Sequence, residues 1–209
     1  LIYISLLLAK MQKNASGEYM GSNAKVFPIL AIEEPEAHLH PNMQYKFLKF
    51  LNENSKHEVR QIFITTHSPN ITAAVDLDSI IVLYEDVDET KIAYPGKVFS
   101  KSDEDKASKN YVERFLDVTK ADMFFAKSII FVEGIAEQLL IPEFAKDINL
   151  DLTDSHVSVI NVNGRYFNHF LKLFDVNNSK YAIPKKIVCL TDMDPVMKKI
   201  KDESIEEDD

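Results

Sequence analysis

Residues 29–41 read Ile-Leu-Ala-Ile-Glu-Glu-Pro-Glu-Ala-His-Leu-His-Pro. A short apolar run ends in two adjacent carboxylates, Glu33 and Glu34, and then turns at Pro35. Buried strands seldom end in paired acids unless a positive group sits there. In a nucleotide-hydrolysing site that group is Mg²⁺ with a polarised water. Thirty-three residues after Glu34, a second apolar strand, Gln61-Ile-Phe-Ile-Thr-Thr, runs out into His67-Ser68-Pro69. Two strands ending in such side chains place them on one edge of a sheet, where open α/β folds bind ligands. His38 and His40 alternate as His-Leu-His. With no third His or Cys nearby to complete a metal set, they are expected to pack in the loop.

Working outward, the pattern predicts a helix over residues 1–13, a polar loop over 14–25 and a buried strand over 26–32. Pro41 suits a helix start, and Met43, Phe47, Leu48, Phe50 and Leu51 form an apolar stripe running to about residue 55. Short paired strands are expected at 80–84 and 91–98. Residues 101–110 are polar and charged and read as a linker, followed by a helix over about 111–126. The rhythm then restarts with a strand at 128–132, a helix at 135–146, a strand at 157–162, a helix at 167–174 and a strand at 186–191. Strands alternating with helices predict an α/β fold with parallel βαβ units. The expected division is 1–100, a linker and lead-in helix over 101–126, a second α/β domain over 127–200, and an acidic tail over 201–209.

The second unit carries its own acids. Phe131-Val-Glu-Gly-Ile-Ala-Glu places Glu133 at a strand end, with Gly134 read as allowing a tight turn into a helix and Glu137 near its first turn. Ile187-Val-Cys-Leu-Thr-Asp-Met-Asp places Asp192 and Asp194 just beyond a later strand. Residues two apart in extended chain share a face. An isolated Asp-x-Asp is more often a turn or cap, and Glu137 alone a surface acid. Together, carboxylates after two parallel strands build an oxygen-rich pocket suited to Mg²⁺ or Mn²⁺. Such ions activate water and offset charge on a scissile phosphate.

The bulk numbers set limits. The 209 residues are 45% hydrophobic, enough for one large or two small domains. No apolar run reaches the roughly 18 residues that cross a bilayer. The opening residues lack a signal peptide's basic leader and cleavage site. The single cysteine, Cys189, lies in an apolar run and is expected to be a buried, inert thiol, consistent with a reducing cytoplasm. The net charge of −9 is uneven. The last nine residues carry six acids, whereas residues 157–200 hold seven Lys/Arg against Asp175, Asp192 and Asp194. A local surplus can serve phosphate binding, although a solvated charged face is the commoner cause. The chain begins without methionine, inside an apolar pattern, as a fragment would.

The stretch from Leu30 to Pro41 resembles the Walker B strand and following loop of ABC-type ATPases of the OLD (overcoming lysogenization defect) family. Phe63-Ile-Thr-Thr-His-Ser-Pro resembles their switch-histidine motif. Glu-Gly-x-x-Glu followed by Asp-x-Asp resembles the TOPRIM domain of topoisomerases, primases and OLD-family nucleases, with Val159-Ile-Asn-Val-Asn-Gly as its second strand and turn. The resemblance implies an ATP-dependent DNA endonuclease working with ATP and Mg²⁺ or Mn²⁺, homodimeric through its ATPase heads, in phage defence or DNA processing. It implies Glu33 for Mg²⁺, Glu34 as general base, His67 for the γ-phosphate, and Glu133, Glu137, Asp192 and Asp194 for the nuclease metals. No phosphate loop occurs in the chain, and the signature serine would precede Leu1. The alternatives are a non-catalytic ATP-dependent clamp of the recombination-mediator kind, or an inactive remnant.

Overall fold

A computed structural model describes residues 29–55 and 61–192. The expected opening helix and loop, Asp194 and the acidic tail lie outside the described residues. The architecture is α/β with parallel sheets, as expected. Strand β1 (Ile29–Glu33) pairs parallel with β2 (Gln61–Thr65), and helix α1 (Pro41–Ser55) crosses between them. Leu30, Phe47 and Leu51 form the buried centre of this unit. A short helix α2 (Pro69–Thr72) follows, started by Pro69 and capped by Ser68, whose hydroxyl accepts from Ile71 N. The antiparallel pair β3 (Val82–Asp86) and β4 (Glu89–Ala93) comes next, and its turn places Val87 and Asp88 at positive φ.

Residues 101–110 do not form a loop. Helix α3 runs Asp103–Phe115, and the polar residues taken for a linker are its solvated first turns. Ser102 accepts from Asp105 N as the helix cap, while the Asp105 carboxylate accepts from Ser100 N at 2.8 Å, two residues before the cap. The chain breaks at Leu116 and re-enters a helix, α4 (Val118–Ala121), capped by Asp117.

The second sheet has the order β6-β5-β7, all parallel, with β5 (Ser128–Val132) central between β6 (Val157–Asn161) and β7 (Lys186–Leu190). Helix α5 (Ile135–Asp147) links β5 to β6, and α6 (Phe167–Leu171) lies on the way from β6 to β7. Ile129, Phe131, Phe170, Leu173 and Ile183 are buried in one apolar cluster. Leu77 and Ala93 belong to that same cluster, so the hairpin region packs into the second unit's core. Polar ties reinforce this: Leu77 N donates to Glu113, and Tyr94 N donates to Tyr181 O at 3.0 Å.

One end of the sheet is knotted together. Lys185, just before β7, donates to the carbonyls of Met123, Phe124 and Ala126 ahead of β5. Burial draws its ammonium down to about 8, so it stays charged at neutral pH. The Ser158 hydroxyl of β6 donates to Asp122 in the same segment. Nearby, the almost fully buried Lys120 ammonium pairs with Asp117 at 2.7 Å.

Cys189 is exposed rather than buried. Strand β7 has no neighbour on its outer side among the described residues, and Val188 and Leu190 are likewise exposed. No helix among the described residues is long and apolar enough to cross a membrane.

Asp105 also accepts from Lys172 Nζ at 2.6 Å, tying α3 to the turn after α6. Lys172 first, and then Ser100, hold its carboxyl down to about 2. Because the folded value lies below that of the unfolded chain, this stabilisation is complete above about pH 4 and disappears toward pH 2. Asp105→Asn should therefore flatten the acid limb of stability. Urea midpoints measured across that interval check it, and an acid limb as steep as the parent's would remove this role.

Candidate nucleotide and metal-binding edges

At the C-terminal edge of β1 and β2, Glu33 ends its strand in register with Thr65 and is exposed. Glu34 leaves the strand in the left-handed region, at φ 38°, while its N–H still donates to Thr65 O at 2.9 Å. That kink brings its carboxylate to 3.5 Å from His67 Nε2, with both side chains largely open to solvent. The histidine and the second acid of the pair thus meet although 33 residues separate them.

Glu36 had no assigned part in the sequence reading, yet it holds this edge together. Its Oε1 accepts from the Thr66 hydroxyl at 2.8 Å and from His67 N at 2.7 Å. Behind it, Ser68 donates to Gln44 Oε1, and Gln44 Nε2 donates to Leu39 O. Both Gln44 and Ser68 are buried, so these bonds fix the two loops against each other. Pro35 starts a 3-10 turn that carries Glu36 back toward β2, a convergence that spacing along the chain does not reveal. His40 is exposed, and its Nδ1 accepts from Asn42 N ahead of α1's first turn.

At the corresponding edge of the second sheet, Glu133 Oε1 accepts from Asp192 N at 3.2 Å and from the Thr191 hydroxyl. Arg165 Nε lies 3.4 Å from the same oxygen, and Arg165 Nη2 donates to Asp192 O at 3.0 Å. The Thr191 hydroxyl, helped by the Arg165 charge, keeps the Glu133 carboxyl below the ordinary range. The turn that delivers Arg165 needs Gly164 at φ 117°, and Gly164 N donates to Glu133 O at 2.7 Å.

Gly134 serves differently from the expected tight turn. Its φ of −141° is ordinary extended backbone. A Cβ there would come within 2.9 Å of Glu137 Oε2, so the glycine makes room for that carboxylate. Glu137 Oε2 is buried with no hydrogen-bond partner among the described residues. Among the described residues, no three His, Cys, Asp or Glu side chains form a ready metal cluster. The donor chemistry nonetheless fits a hard divalent cation: Glu133 and Glu137 both offer carboxylate oxygens, and Glu137 Oε2 has no hydrogen-bond partner among the described residues. Asp194 lies outside the described residues.

Residues 1–72 match the family model of an AAA ATPase domain. Residues 124–194 match that of an overcoming lysogenization defect protein-like TOPRIM domain. Over these two stretches the chain is similar to an ATPase domain and to the TOPRIM domain of OLD-like proteins. Endonuclease GajA of Bacillus cereus strain HuB5-5 is 27% identical over 224 residues, covering 93% of this chain and 29% of the relative. The OLD nuclease of Thermus scotoductus is 24% identical over 139 residues, covering 64% of the chain and 26% of the relative. The chain therefore spans under a third of the length of these curated relatives. Its TOPRIM match begins just ahead of β5 and ends at Asp194, enclosing Glu133, Glu137 and Asp192.

Proposed function

We propose that this chain is part of an ATP-dependent DNA endonuclease, in which an ATPase head governs metal-dependent phosphodiester cleavage by the TOPRIM domain. The observation that carries the reading is the hydrogen bond from the Asp192 amide to Glu133, which joins the ends of β5 and β7 at an exposed edge. The names of the relatives, an endonuclease and a nuclease, support it.

In this reading Glu133, Glu137, Asp192 and Asp194 hold Mg²⁺ or Mn²⁺. The bound ion supplies an activated water and offsets the charge developing on the scissile phosphate. Glu133 enters the reaction ionised, because Thr191 and Arg165 favour its charged form. In the ATPase head, Glu33 holds Mg²⁺, Glu34 takes a proton from the attacking water, and His67 contacts the γ-phosphate. The 3.5 Å approach of Glu34 to His67 lets one histidine report whether a γ-phosphate is present. Glu36 sets the His67 backbone, so the histidine's reach depends on that carboxylate. Joining of two ATPase heads, a cytoplasmic setting and service in phage defence complete the reading.

The test is plasmid cleavage by the intact protein with ATP and Mg²⁺ or Mn²⁺. Chelation by EDTA should remove cleavage and added Mn²⁺ should restore it. Cleavage that persists in EDTA would rule out the metal-dependent reading.

A further inference from the structure

We propose that Tyr166 is a stacking platform for a nucleobase beside the Glu133 edge, so that DNA is held there by a base as well as by its phosphates. The platform presupposes the endonuclease reading above and adds how the strand is gripped. Tyr166 follows the left-handed turn after β6, two residues beyond Gly164, whose N–H donates to Glu133 O at 2.7 Å. Between them, Arg165 lies against Glu133 and donates to Asp192 O. The tyrosine therefore stands on the loop that is tied to the ends of β5 and β7. It is nevertheless 53% exposed, whereas Phe170 of the neighbouring cluster is fully buried.

The ring is held in place by its surroundings. A Cβ on Gly164 would come within 3.2 Å of it, so the ring lies close against a residue with no side chain to lift it. Tyr111 of α3 packs on it at 5.3 Å with a 38° tilt, and His169 of α6 lies nearly parallel to it, at 17° and 6.4 Å. Tyr111 and His169 are themselves 4.4 Å apart. His169 Nδ1 is hydrogen-bonded at 3.0 Å to the hydroxyl of the buried Ser108, so the support is fixed as well. Burial, and then the Lys172 charge, lower the His169 pKa, which leaves it a neutral ring at pH 7. An aromatic ring fixed by its neighbours and still open to water suits a base, because every base offers a π-face. Little rotamer freedom is left to lose when the base arrives.

The chain contains no tryptophan, so Tyr166→Trp gives it a single reporter at this position. The probes are a short thymine-only DNA strand and an abasic strand of equal length, which keeps the phosphates and lacks the bases. Fluorescence of the Tyr166→Trp chain should be quenched by the thymine strand and not by the abasic one. Tyr166→Leu should weaken binding of the thymine strand about fivefold to a hundredfold, leaving the abasic strand unaffected and Tyr166→Phe within about twofold of the parent. Anisotropy of labelled strands at low salt measures the affinities. If the thymine strand binds without quenching, or binds Tyr166→Leu as tightly as the parent, the stacking is overturned while DNA contact with the chain stands. Equal affinity of the parent for the two strands overturns it too. If neither strand binds, the stacking is lost, and plasmid cleavage by the intact protein decides the endonuclease reading separately.

Discussion

Glu133→Gln should reduce plasmid cleavage by the intact protein by about a thousandfold or more, with its fold and ATP hydrolysis unchanged. The two side chains have the same shape, so the Gln oxygen can still accept from Thr191 and Asp192 N. In the proposed reaction, what disappears is the negative charge that would hold a divalent ion and so offset the charge developing on the phosphate. Initial rates on supercoiled DNA measure the loss, and far-UV circular dichroism with a urea midpoint verifies the fold. Cleavage within about tenfold of the parent, under conditions where the parent needs metal, would remove Glu133 from the centre of the mechanism.

The second large effect concerns stability. Phe170 is fully buried, 6.0 Å from the Phe131 ring and 6.1 Å from Tyr111, so it joins α6, β5 and α3. Phe170→Ala should cost about 3–5 kcal/mol, the sum of lost burial and the cavity left behind. That is a large share of the roughly 5–15 kcal/mol that stabilises a typical domain. Leu139, 64% exposed on α5, is the control, and Leu139→Ala should stay within about 0.5 kcal/mol of the parent. Urea unfolding of the chain compares them. A Phe170→Ala loss below about 1 kcal/mol would mean the cluster is not the core that holds these elements together.

The strands of both sheets were readable in the sequence because each is a short apolar run that stops at polar residues. Ser128–Val132 falls where its five residues predict, β1 ends at Glu33, and β2 ends at Thr65, two residues before His67. Helix α3 was misread because its first turns are so strongly charged that they look like a linker. The capping pair Ser102 and Asp105 was the overlooked sign. Cys189 was misjudged because an apolar strand was assumed to be covered on both sides, and β7 is an edge among the described residues.

The acids of each edge were visible because they sit at strand ends, where sheet geometry decides their position. Glu36 and Arg165 were harder to see. Glu36 finds Thr66 and His67 through a 3-10 turn. Arg165 finds Glu133 and Asp192 through a left-handed turn after β6. Neither partnership follows from spacing along the chain, since each depends on how two loops converge in space.

The central place of β5 bears on how the chain is made. Both of its hydrogen-bonding neighbours are encoded downstream, and β7 ends at Leu190. A ribosome adding about 5–20 residues per second needs several seconds to deliver them. Through that interval Ser-Ile-Ile-Phe-Val emerges with two bare edges, the kind of apolar segment that pairs with its own copies. Until β7 is synthesised, sharing the nascent strand among neighbouring polypeptides competes with closure of the sheet.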